Sequence, residues 1–281
     1  MITILRTVAE TRSWREALPR AQKLAFVPTM GALHAGHMSL MHLARQQAGT
    51  VIASIFVNPL QFGPNEDLSK YPRPIEKDLA LLEAAGVDAV FLPPVHELYP
   101  EDASTFVTEE TVSAPLCGAV RPGHFRGVTT VVLKLFNIVR PDIAVFGQKD
   151  AQQCLVIERM VRDLNLPVEI IRGPIVREAD GLALSSRNIY LAPEDRQAAP
   201  AIFASLQAAQ RTFENGERNA AKLAEIGRTS LAAHPRIAVQ YWDVRHPQSL
   251  EAIETIGPQG AIFAVAAHLG STRLIDNLVV G

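Results

Sequence analysis

The chain holds only two cysteines, Cys117 and Cys154, in 281 residues. Two thiols so far apart exclude a disulfide framework and a four-thiolate zinc site, and a reducing, cytoplasmic setting is expected. Excess charge of one sign is lacking too: 27 Lys plus Arg against 29 Asp plus Glu leave a formal charge of -2. Binding of nucleic acid through bulk charge is therefore disfavoured, whereas a local phosphate pocket stays open. Long hydrophobic runs are missing. The most apolar stretch, 128–139, is interrupted by Lys134 and falls short of the roughly 20 residues a membrane span needs. The first ten residues lack both a basic leader and an apolar core, so neither export nor membrane anchoring is expected. Also absent are Gly-x-x-x-x-Gly-Lys-Ser/Thr, Gly-x-Gly-x-x-Gly and His-Glu-x-x-His. P-loop phosphoryl transfer, dinucleotide binding and the helical zinc-hydrolase site go with them.

What is present is an ordinary globular composition, 48% hydrophobic and 20% charged, on a chain long enough for two domains. Over the first two thirds, compact beta-branched or aromatic runs at 23–28, 50–57, 87–92, 142–146 and 168–171 alternate with helical patterns. Helices are predicted from near 37 to 47, over 75–85, over 128–139 and from Asp150, whose carboxylate is expected to cap the last. This rhythm predicts an α/β fold with a parallel sheet covered on both faces. Beyond a polar connection at 177–188 the character changes. A long Ala-rich helix opened by Pro193, a helix at 220–233 and alternating strands near 237–244, 261–267 and 274–280 predict a smaller α+β domain. The expected division is 1–175 and 176–281.

In an open parallel sheet, ligands sit beyond the carboxyl ends of the strands. The loop 28–37 there carries Gly31, Gly36, His34 and His37, with unpaired amides expected at the following helix start. The histidine spacing puts two imidazoles on one face, for a phosphate or, less well without a third ligand, for zinc. A second loop, 58–63 continuing to Tyr71, offers the amides of Asn58 and Gln61, which can equally satisfy their own turn. A third, 146–150, sets Lys149 beside a helix start, with Gln153 one turn on. A fourth, 176–188, carries Ser185, Ser186 and Arg187, suited to phosphate oxygens or to a simple capped linker. The segment 121–127 is Gly-rich and cationic, either an active-site wall or a helix-entry loop. Neither cysteine sits in a motif for a covalent nucleophile.

The turn His34-Ala35-Gly36-His37 resembles the His-x-Gly-His signature of the nucleotidylyltransferase and class I aminoacyl-tRNA synthetase superfamily. Ser185-Ser186-Arg187 resembles its second, phosphate-clamping signature. The longer strings at 28–34, 54–62, 146–150, 177–188 and 270–277 are similar to the pantothenate synthetase family, essentially end to end. That resemblance implies a Rossmann-like domain with a smaller carboxyl-terminal lid, in a cytoplasmic homodimer. It implies an ATP-dependent ligase that joins pantoate to beta-alanine through a pantoyl adenylate, releasing AMP and pyrophosphate and requiring Mg2+. By the family's pattern Met30, Gly31, Ala32, Leu33, His34, Ala35, Gly36 and His37 contact ATP, with His37 as proton donor. Gly147, Gln148, Lys149, Asp150, Val176, Leu184, Ser185, Ser186 and Arg187 complete that site. Gln61 and Gln153 hold pantoate, Gln61 also meets beta-alanine, and His37, His34, Lys149 and Arg187 are the catalytic set. Gln148 departs from the acid common in relatives. Two alternatives remain: a nucleotidylyltransferase acting on a phosphorylated acceptor, and a non-catalytic nucleotide-binding module. A tRNA synthetase is disfavoured by the short chain and the lack of a basic face.

Overall fold

The computed structural model describes residues 2–19, 21–63 and 68–281; the part of the second predicted loop at 64–67 lies outside them. A six-stranded parallel sheet is built from β1 (Thr3–Leu5), β2 (Leu24–Thr29), β3 (Thr50–Ile55), β4 (Ala89–Phe91), β5 (Ile143–Gly147) and β6 (Glu169–Gly173). All six residues of β3 and the first four of β2 are buried, as expected of strands covered on both faces. Between them run α1 (Val8–Ala17), α2 (Ala35–Gln47), α3 (Ile75–Ala84), α4 (Val95–Leu98), α5 (Cys117–Val120), α6 (His124–Val139) and α7 (Ala151–Asp163). The order β1-β4-β3-β2-β5-β6 reverses direction between β2 and β5, which makes their carboxyl ends the switch point.

The carboxyl-terminal part holds α8 (Pro193–Ala198), α9 (Ala201–Glu214), α10 (Ala220–Ala232) and the antiparallel sheet β7 (Ile237–Arg245), β8 (Ala261–Leu269), β9 (Thr272–Val280). The alternation along β8 serves two cores. Ala261, Phe263, Val265 and Ala267 pack with α9 and α10, while Ile262 and Ala264 join the core of the first sheet. The small sheet is thereby seated on the large unit.

Four expectations change. The strand β1 was not predicted, because three edge residues carry too little pattern. The helix predicted at 128–139 starts at His124, where Gly123 enters it in left-handed conformation, φ 80°. The single long Ala-rich helix is two, α8 and α9, because Pro200 has no N–H to continue the ladder. Asp150 stands at the start of α7 but makes no side-chain cap; a 3-10 turn, Gln148–Asp150, precedes the helix.

Candidate active site

At the end of β2, Gly31 (φ 83°) and Ala32 (φ 52°) turn the chain sharply and aim the next two amides inward. Both are taken by one carboxylate: Ala32 N and Leu33 N each donate to Asp78 of α3 at 2.8 Å. Asp78 is fully buried, and burial pushes its carboxyl up against the downward pull of those two amides. His34 then caps α2. Gly36 N donates to His34 Nδ1 at 3.2 Å, and His34 N donates to His37 Nδ1 at 3.3 Å. The rings lie 4.1 Å apart, and a Cβ on Gly36 would sit 3.0 Å from the His34 ring. A side chain at 36 would press on this tilted ring pair.

The expectation of unpaired amides here is therefore corrected, since those of Ala32, Leu33, His34 and Gly36 are bound by side chains. The donors offered to a ligand are instead the ring Nε2–H groups, because each Nδ1 is an acceptor. Burial, assisted by the nearby Lys149 ammonium, pushes His34 down to about 4. Burial and its neighbour His34 push His37 down to about 3. Both are neutral at pH 7, donors of hydrogen bonds rather than charged acids.

The end of β3 leads into the 3-10 turn Pro59–Gln61. Asn58, 1% exposed, lies beneath it rather than on the cleft wall. Its Nδ2 donates to Gln61 Oε1 at 2.9 Å and to Gly127 O at 3.0 Å, and its Oδ1 accepts from Tyr99 Oη at 3.0 Å. The helix α6 presses on this turn so closely that a Cβ on Gly127 would meet Leu60 O at 2.3 Å, which explains a glycine inside a helix. From the other side Gln61 O accepts from His124 Nδ1 at 2.9 Å and Arg121 Nη2 at 3.2 Å.

At the end of β5, Asn277 of β9 holds the turn, its Nδ2 donating to the carbonyls of Gln148 and Lys149 at 2.9 and 3.0 Å. The Gln148 side chain is drawn to the same asparagine, at 3.2 Å. Across the cleft, Ser185 caps the turn Ser186–Tyr190 by accepting from Arg187 N. Behind that turn, Arg196 pairs Glu178 and Asp180 at 2.6 Å each, and Arg177 grips the buried Asp276 with two bonds of 2.6 and 3.0 Å.

These pieces enclose one cleft of about 240 Å³. Met30, Gly36, the two histidines, Gln61, Tyr71, Gly147, Lys149, Asp150 and Gln153 line it, with Val176 and 184–187 opposite. Its floor is apolar: Leu40, Phe56, Val128, Val131, Val132 and Leu135. The four polar loops expected to converge do so. Gly31, Ala32, Leu33, Ala35, Gln148 and Asn58 do not line it; they shape the turns behind it. Arg121 and His124 line it as well, so 121–127 is both wall and helix start. Asp78 and Tyr99 were not foreseen. The signal for Asp78 was an acid on the apolar stripe of α3, beside Ile75, Leu79 and Leu82. Among the described residues no group of three or more His, Cys, Asp or Glu forms a metal cluster, and no helix is long and apolar enough to cross a membrane.

A doubly wound sheet with this cleft at its switch point, and a small antiparallel sheet seated against it, defines the Rossmann-like α/β class. Residues 3–279 match the family model of pantoate-beta-alanine ligase. The pantothenate synthetase of Thermotoga neapolitana is 53% identical over 279 residues, covering 99% of both chains. The crystal structure of the Thermus thermophilus pantothenate synthetase superposes with a TM-score of 0.93 at 49% identity, covering 99% of both chains. The Francisella tularensis pantoate-beta-alanine ligase, solved with beta-gamma ATP and beta-alanine, gives 0.81 at 33% identity over 100% of this chain and 99% of that one. The chain belongs to the pantoate-beta-alanine ligase family.

Proposed function

We propose that the chain condenses pantoate with beta-alanine in two steps in this cleft, through a pantoyl adenylate. In the first, a pantoate carboxylate oxygen attacks the α-phosphorus of ATP and the bond to the β-phosphate breaks, expelling pyrophosphate. In the second, the beta-alanine amine attacks the acyl carbon, the bond to AMP breaks, and the amine loses its proton. A free carboxylate does not form an amide at neutral pH, and adenylation supplies the leaving group. The observation that carries the reading is a single cleft whose wall brings His34, His37, Lys149 and Arg187 together with Gln61 and Gln153 over an apolar floor. The complexed Francisella relative supports the choice of ATP.

In this reading ATP lies along His34, His37, Lys149 and 184–187, with Met30, Gly147, Asp150 and Val176 at its edges. The neutral imidazoles donate from Nε2, while Lys149 and Arg187 supply full charge as negative charge builds on the phosphates. Gln61 and Gln153 hold the oxygens of pantoate, Tyr71 walls them, and the gem-dimethyl group rests on Val128, Val131 and Val132 of α6. Mg2+ arrives with the nucleotide. Asp150 is the one carboxylate among the described residues of the cleft wall, enough for an ion otherwise held by phosphates and water. The ion would neutralise phosphate charge. Division at 175/176 makes the carboxyl-terminal unit the carrier of the Ser185 loop, and a cytoplasmic homodimer completes the proposal, checked by sedimentation. With pantoate labelled by oxygen-18 in its carboxylate, label is expected in AMP. Label found wholly in pantothenate rules out the adenylate.

A further inference from the structure

The amide of Gln61 faces the cleft in one of two polarities, and groups outside the cleft decide which. Asn58 sits between two main-chain groups whose roles are fixed: Gly127 O only accepts and Leu60 N only donates. Gly127 O takes a hydrogen from Asn58 Nδ2 at 3.0 Å, and Leu60 N points at Asn58 Oδ1 at 3.4 Å. These two fix Oδ1 as the accepting end, and Tyr99 Oη donates to it at 3.0 Å, the shorter of its two bonds. With Oδ1 so engaged, the remaining hydrogen of Asn58 Nδ2 goes to Gln61 Oε1 at 2.9 Å. The Nε2 of Gln61, with two hydrogens, is left for the cleft. Tyr99 stands against Phe56 with ring centroids 6.1 Å apart and does not line the cleft. Burial pushes its phenol up, so it keeps the hydrogen it donates.

We propose that Tyr99 is a positioning residue: through Asn58 it holds Gln61 as a donor toward the cleft, where an oxygen of pantoate accepts. This rests on the reading of Gln61 as a pantoate contact. The chain of polarity runs from main chain to side chain to substrate, and its cost is prepaid in folding, so none of it falls on the binding step. A donor there suits a carboxylate or hydroxyl oxygen.

Steady-state kinetics on the full-length enzyme test this by a double-mutant cycle. Tyr99→Phe keeps the ring and loses the hydroxyl. It is expected to raise the pantoate KM about threefold to tenfold, the range of one neutral hydrogen bond, and to leave the ATP KM unchanged. In a Gln61→Ala background the same substitution is expected to do nothing to the pantoate KM, since no amide remains to orient. Gln61→Glu, which turns an oxygen to the cleft, is expected to raise that KM further than Gln61→Ala. A Tyr99→Phe effect of equal size in both backgrounds, or none in either, overturns the relay. A pantoate KM indifferent to Gln61→Ala overturns instead the assignment of Gln61.

Discussion

If the imidazoles of the first turn work as neutral donors, acid should undo the fold through them before it undoes the chemistry. A histidine with a lowered folded value binds its proton more readily in the unfolded chain. Its contribution is fully present above the unfolded value, near 6.5, and is lost as pH falls from there toward the folded value. For His37 that window runs from 6.5 to about 3. The slope of about 1.4 kcal/mol per pH unit removes about 2 kcal/mol between pH 6.5 and 5. Because the ring edge on the cleft still meets water, about 1–2 kcal/mol is the expectation. Urea unfolding near pH 7 and near pH 5 measures it, comparing the native chain with His37→Gln, whose amide can still accept from His34 N. The native chain should lose that much more stability on acidification than the variant. The same groups predict a kcat/KM for ATP without a break near 6.5, since that parameter reports the free enzyme. Equal losses in both chains, or a break near 6.5 that vanishes in His37→Gln, would refute the reasoning.

Two further outcomes test the wall of the cleft and the support behind it. Lys149→Ala should leave the circular dichroism spectrum unchanged and slow pantoate-dependent pyrophosphate release about a hundredfold or more, the scale of one lost charge-stabilising donor; unchanged turnover excludes the role. Arg177→Met should cost about 3–5 kcal/mol in thermal or urea unfolding, because Asp276, 4% exposed, is left as an uncompensated buried charge. Adding Asp276→Asn should restore part of that loss, and a double variant no more stable than Arg177→Met would show that charge is not the cause.

What could be read from the sequence was whatever repeats locally. The strands β2 to β5 announced themselves because burial on both faces leaves short apolar runs, and the ligand loops followed from the rule that such strands end at the site. His34, His37, Lys149 and Ser185 to Arg187 were legible as residue types in those loops. Their partners were not. Asp78 holds an amide 46 residues earlier, Tyr99 reaches back 41 residues to Asn58, and Arg121 lies 60 residues from the carbonyl it binds. No window of sequence contains such pairs. The same blindness assigned Asn58 to the substrate and the amides of the first turn to an anion. Both groups are polar, both lie in the right loop, and both are consumed by the protein itself.

That consumption has a consequence for how the site resists change. In the first turn, the amides of His34 and Gly36 set which nitrogen of each imidazole carries the hydrogen. In the second, Gly127 O and the bond from Tyr99 set which end of the Gln61 amide faces the ligand. Side-chain polarity is thus dictated by backbone position, and backbone position by groups far from the chemistry: Asp78 under the one turn, helix α6 against the other. A substitution that shifts either turn by a few tenths of an ångström need not touch a ligand to invert what the ligand meets. Asp78→Asn shows the logic. The carboxylate accepts from two amides, whereas the carboxamide has one oxygen and must present its own N–H to the second, a donor facing a donor. Loss of that bond frees the left-handed pair at Gly31 and Ala32, and with it the packing of the two imidazoles that line the cleft. Asp78→Asn should therefore weaken ATP binding while Lys149 and Arg187, on other elements, keep their places; an unchanged ATP KM would break the link between that buried acid and the histidines.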